Sequence, residues 1–236
     1  MISERRFASS HTAFWRAAMP MGESVVRSLN RSPPKFAMPV GSTSDSVRFG
    51  HISEMSLRIF EASEGVPVAP VRSEIPERLR ALGAEVAQYI ARLEGSGDPV
   101  AMDDDEIREA LVWSSRLVSF IRSEHPNETT VTRPQFPGCG FLGACEGDLL
   151  VGTTLYEIKN VERTFRLTDW RQLVIYAALN SLGRVQEVNT IALLNVRLGL
   201  YCKVGLNDFC IAAAGVEPSA LFSDIADYLS RLSVSN

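Results

Sequence analysis

No apolar run in the chain approaches the roughly 18 residues that a membrane-spanning helix needs, so no membrane partner is expected. The opening stretch MISERRFASSHTAF also lacks the long apolar segment of a secretory signal. Both absences point to an intracellular, cytoplasmic protein. Cysteine is scarce, and Cys139, Cys145, Cys202 and Cys210 show none of the CxxC spacings of structural zinc. Free buried thiols are the expectation in a reducing compartment. There is no internal repeat and no low-complexity tract. There is no basic excess either. The net charge of −4 argues against a general electrostatic binder of nucleic acid.

What charge there is lies unevenly. Residues 1–60 hold eight Lys/Arg and four Asp/Glu, a net +4, so the remainder carries −8. The 236 residues suffice for one compact domain with a sizeable core. Residues 1–125 read as an N-terminal arm and helical region, and 126–236 as an α/β core. A helix is expected near Ala13–Leu29, followed by the turn-rich SPPKFAMPVGSTSDS, and residues 1–46 read as an arm or loosely packed lobe. A further helix is expected at about 47–62, with Ile52, Met55, Ile59 and Phe60 as its buried stripe. Ile75, Leu79, Leu82, Val86, Ile90 and Leu93 recur at helical spacing. Ile107, Leu111, Ser114, Leu117, Val118 and Ile121 do the same after the acidic MDDDE. Together they predict a helical hairpin over about 75–123.

After His125 the texture changes. TTLYEIKNV, NTIALLNVR and GLYCKVGL read as strands. Thr168 is placed to cap a helix over Asp169–Leu182 that Gly183 ends, and a last helix is expected over about Pro218–Leu232. This order predicts an α/β or α+β domain with a mixed sheet.

The chemistry concentrates in Asp148–Asn160. Gly152-Thr153 suits a two-residue turn, with glycine first as in type II′. Val151 then faces Thr154, Leu150 faces Leu155, Leu149 faces Tyr156, and Asp148 faces Glu157. Strand side chains alternate, so Lys159 shares the face of Glu157. Opposed carboxylates repel, and a hard divalent cation between them reverses that sign. Magnesium or manganese held by Asp148, Glu157 and the backbone carbonyl of Ile158 fits such a face, with Lys159 assisting a water or the growing phosphate charge. A solvated hairpin with an exposed ion pair is the bland alternative. Gln172 and Tyr176 share one helix face, where an amide can meet a phosphate or a water. Arg163, Arg166 and Arg171 flank the site as candidate phosphate contacts, partly offset by Glu162 and Asp169. His51 and His125 read as structural.

The run GDLLVGTTLYEIKNVERTFRLTDWRQLVIYAAL resembles the core of the PD-(D/E)XK nuclease superfamily, especially its RecB-like and exonuclease-like branches. Asp148 matches the first acid, Glu157-Ile158-Lys159 the E-x-K, and Gln172 with Tyr176 the Q-x-x-x-Y helix pattern. Gly147 stands where the family's proline often is. The resemblance covers about residues 144–179 and extends weakly into LLNVRLG. It implies a restriction-endonuclease-like α/β fold, a mixed β-sheet flanked by helices after an N-terminal helical region. It implies a magnesium-dependent DNA nuclease, in repair, recombination or phage defence, with Asp148, Glu157, Lys159 and Gln172 catalytic and Tyr176 at the DNA. It also implies an acidic metal ligand from an upstream helix. Glu54 is the candidate, with Glu61 and Glu64 as rivals. A helicase, ATPase or defence-system subunit, or a second copy of the chain, would be plausible partners for this branch. The alternatives are a catalytically inactive nuclease-like DNA-binding or assembly subunit, or an unrelated α/β protein with an incidental motif.

Overall fold

The structure is a computed structural model that describes residues 1–41, 48–63, 74–95 and 98–234. The chain divides into two compact units. The first comprises residues 1–35, 128–195 and 200–236, and the second residues 36–127 with 196–199.

The first unit holds α1 (Glu4–Ser9), α2 (Thr12–Ala18), α3 (Gly22–Leu29), β1 (Thr130–Thr132), β2 (Gln135–Phe136), β3 (Cys145–Glu146), β4 (Leu149–Val151), β5 (Thr154–Ile158), α7 (Leu167–Gly183), β6 (Thr190–Asn195), β7 (Leu200–Gly205), α8 (Leu206–Ala214) and α9 (Pro218–Val234). Five strands form a mixed sheet in the order β1-β4-β5-β6-β7, and β2 pairs with β3 separately. The β5–β6 pair is parallel and the others are antiparallel, so α7 is the crossover of a β-α-β unit. The expected α/β class with a mixed sheet flanked by helices is therefore observed. Helix α7 is buried almost all round, because α1, α9 and the sheet each cover part of it.

The N-terminus departs from expectation. The single helix expected over Ala13–Leu29 is two, α2 and α3, broken at Met19-Pro20. Proline disfavours helical backbone in the residue before it, and Met19 sits at φ −132°, ψ 64°. Residues 1–35 are also no loose arm. Phe7 and Trp15 are fully buried, Met19 and Val26 nearly so, and all four join the core of this unit. Ile2 bridges to Leu142, and α1 lies along α7. This segment thus belongs with 128–195 and 200–236, not with the helical region that follows it in sequence.

The second unit holds α4 (Phe49–Ala62), α5 (Glu77–Glu94) and α6 (Asp104–Glu124). Ile52, Met55, Ile59 and Phe60 are buried as their spacing predicts, and so is the whole expected stripe of α6. Asp103 caps α6 with a reciprocal bond from Glu106, which gives the acidic run a capping role. Helix α6 packs chiefly on α4 rather than pairing with α5 alone. The outer end of α5 accordingly stays open, with Leu93 66% exposed.

Candidate functional site

The local sequence builds the hairpin as expected. Leu149 pairs with Tyr156, Leu150 with Leu155 and Val151 with Thr154. Gly152 adopts φ +55° and Thr153 does not have positive φ, as a type II′ turn requires. Parallel pairing with β6 anchors β5 on its other edge, opposite Leu193 and Leu194, and Lys159 N–H extends that ladder to the Leu194 carbonyl at 2.7 Å. Asp148 differs in detail from the expectation. The β4–β5 ladder ends at Leu149, and the Asp148 carboxylate turns to accept the Ile158 amide N–H at 2.6 Å.

From Glu157 a chain of hydrogen bonds runs across α7. Glu157 is 1% exposed, and its Oε1 accepts Lys159 Nζ at 2.7 Å. Lys159 also donates to Gln172 Oε1 at 2.7 Å. The Gln172 amide nitrogen donates to the Tyr176 hydroxyl at 2.7 Å and, more weakly, to Glu4 Oε1 at 3.4 Å. The ammonium fixes which end of the amide faces it, since only the oxygen can accept. The second oxygen of Glu157 is buried with no hydrogen-bond partner among the described residues. An orphaned carboxylate oxygen is costly in a protein interior, by about 1–3 kcal/mol or more. A bound cation is one partner that would satisfy it.

The electrostatics reflect this crowding. Burial, reinforced by the Glu157 charge, pushes the Asp148 carboxyl up to about 7, against the pull of the Ile158 N–H, Lys159 and Arg5. Burial and the charges of Glu157, Glu4 and Asp148 raise Tyr176, so its hydroxyl keeps its proton. Burial, then Glu4 and Glu157, pushes the Cys145 thiol up to about 12.

Two members of this environment escaped the sequence reading, Glu4 and Arg5. Both lie on α1, whose six residues are too few to show a period. The available signal was Ser3, which caps the helix, with an acid directly after it and the buried Phe7-Ala8 pair. Glu4 reaches Gln172, and Arg5 Nε lies 3.7 Å from Glu4 Oε1. Desolvation opposes the Arg5 charge, yet Glu157, Asp148, Tyr176 and Glu4 outweigh it and raise its pKa.

Two of the candidate upstream acids, Glu54 and Glu61, belong to the second unit. Glu54 is on α4 in the second unit and accepts Arg58 Nε at 2.8 Å, the helical ion pair its spacing allows. Glu61 is on the same helix, and Glu64 lies outside the described residues. The flanking arginines are partly committed to structure. Arg163 makes two hydrogen bonds to Asp169, at 2.7 and 3.1 Å. Arg171 lies over the Trp15 ring and reaches the Ala8 carbonyl. Arg166 is the exposed N-cap of α7. Its N–H is held at 2.8 Å by Asp169, which takes the capping part expected of Thr168. Helix α7 ends at Arg184 in the left-handed region, one residue past the expected Gly183. His51 and His125 lie in the second unit.

Among the described residues, no three His, Cys, Asp or Glu side chains form a ready metal cluster. The donors that fit a hard cation are the Asp148 and Glu157 carboxylates, with the Ile158 carbonyl between Glu157 and Lys159 in the chain. Magnesium suits so sparse a set because it keeps several waters. All four cysteines are free, Cys202 and Cys210 buried and the other two half-buried. No single described helix is long and apolar enough to cross a membrane. No known family profile matches the chain, and no curated protein matches it in sequence.

Proposed function

We propose that the protein is a magnesium- or manganese-dependent deoxyribonuclease of the PD-(D/E)XK type, with a restriction-endonuclease-like core. One observation carries the reading. Glu157, Lys159 and Gln172, singled out by spacing and resemblance, meet in one network, Asp148 holds the Ile158 N–H between Glu157 and Lys159, and a buried Glu157 oxygen has no partner among the described residues. In this reading Asp148, Glu157 and the Ile158 carbonyl hold the cation, and Glu4 adds negative charge from α1. The cation, when bound, polarises a phosphoryl oxygen and lowers the pKa of a bound water.

The remaining work falls to the chain's own groups. Lys159, held between Glu157 and Gln172, presents its ammonium to charge growing on the phosphate. Gln172 fixes that ammonium in place, and the protonated Tyr176 hydroxyl fixes the amide. The test is incubation of the pure protein with linear, circular and single-stranded DNA, with magnesium, manganese or EDTA. Cleavage that needs metal and disappears in Asp148→Ala and Glu157→Ala supports the reading. Metal-independent cleavage, or none on any substrate, sinks it. DNA binding without cleavage would favour an inactive nuclease-like subunit. The commitment of Lys159 to two hydrogen bonds is the feature that suits this second reading.

A further inference from the structure

The first unit is electrically divided. Residues 1–35 hold six Lys/Arg and two Asp/Glu, a net +4, whereas the rest of that unit holds eight and eleven, a net −3. Arg5, Arg6, Arg16, Arg27, Arg31 and Lys35 are all exposed. Apart from the loose 3.7 Å approach of Arg5 to Glu4, none of these side chains makes an ion pair among the described residues. Arg5 also feels the Glu157 and Asp148 charges, and the other five cations, clustered on one segment, repel one another at a cost in stability. A flexible tail would spread that charge, but this segment is built into the core through Phe7, Trp15 and Val26. It is also joined to the catalytic network, because Glu4 meets Gln172 and Asn30 donates to the Phe165 carbonyl at 2.6 Å just before α7.

Resting on the nuclease reading for its substrate class, we infer that the exposed cations of α1–α3 and the residues just after them grip the phosphate backbone of DNA, with Arg5 nearest the Asp148–Glu157 pair. Charge complementarity selects a polyanion, and the acidic pair beside Arg5 needs a phosphate delivered against its own repulsion. Of the three flanking arginines expected as phosphate contacts, Arg163 is held by Asp169 and Arg171 lies over Trp15, while Arg166 is exposed.

The experiment measures anisotropy of a fluorescein-labelled DNA duplex in EDTA across a salt series. It compares wild type with Arg5→Gln, the triple variant Arg6→Gln/Arg16→Gln/Arg27→Gln, and the control Arg184→Asn. Asparagine tolerates the left-handed backbone at 184, so the control removes one exposed charge from the same unit without strain. Each lost phosphate contact reduces the slope of log affinity against log salt by about one. The triple variant is therefore expected to lose about two to three from its slope, Arg5→Gln about one, and the control nothing. A wild-type slope in the triple variant overturns the inference. So does an equal loss in Arg184→Asn, or wild-type binding to anionic lipid vesicles but not to DNA. Cleavage with magnesium is scored separately. Salt-dependent binding through these residues without cleavage defeats the nuclease reading and leaves the surface standing, whereas cleavage with an unaltered slope in the variants does the reverse.

Discussion

Lys159 is held by two acceptors and donates to both, and lysine is a poor ligand for magnesium. Lys159→Ala is therefore expected to leave manganese affinity, read by calorimetry, near that of wild type. Its single-turnover cleavage at saturating metal should fall about a hundred- to a thousand-fold, the usual cost of one transition-state contact. Undiminished cleavage would remove the lysine from the mechanism. Asp148 yields a pH prediction. Its carboxyl titrates near 7 in the fold against 3.8 when free, so between those values the folded protein holds a proton that the unfolded chain has released. The stability from this group is full below about 3.8 and lost as pH rises through about 7. Metal-free wild type should thus melt at a lower temperature at about pH 8 than at about pH 5, and Asp148→Asn should flatten that fall. An equal fall in both proteins would place the titrating group elsewhere. At this scale much was legible in advance. Asp148, Glu157 and Lys159 lie within twelve residues, and a two-residue turn leaves a hairpin one register.

At the scale of elements, the hairpin and α7 followed from alternation and from helical spacing, while α1 did not. Its six residues are too short for periodicity, and an isolated helix of that length is unstable in water. It exists because Phe7 is buried and the α1 backbone lies along α7. Phe7→Ala is accordingly expected to destabilise the protein by about 3–5 kcal/mol in urea melts, the range for a fully buried aromatic. A loss of a few tenths would restore the picture of a loose N-terminal arm. Pro20 shows the opposite case, a break that was written in the sequence and is explained by the steric rule for the residue before proline. The capping of α7 falls between the two. Thr168 is the residue placed for the cap, but Asp169 accepts the Arg166 N–H and two bonds from Arg163, and three charge-assisted bonds outweigh one hydroxyl.

For the whole molecule, the proposed cation couples chemistry to stability. Anything that binds the folded state alone stabilises it, by about 2.7 kcal/mol at a hundred times its dissociation constant. Manganese is therefore expected to raise the melting temperature of wild type and not that of Glu157→Gln, measured by calorimetric melting at fixed pH. A rise of equal size in the variant would mean that the metal binds elsewhere. The same measurement on Glu54→Gln should match wild type, because that carboxylate pairs with Arg58 on α4.

The sequence by itself determined the α/β class, the strand register around Gly152 and the convergence of Glu157 with Lys159. Each of these depends on contacts between residues close along the chain, where alternation and turn geometry leave few choices. Tertiary structure alone decided that Glu4 and Arg5 join this network, that Arg171 is engaged by Trp15 and Ala8, and that residues 1–35 belong with the sheet. Those outcomes depend on which buried faces meet after the chain closes over more than a hundred residues, and no local spacing encodes that choice.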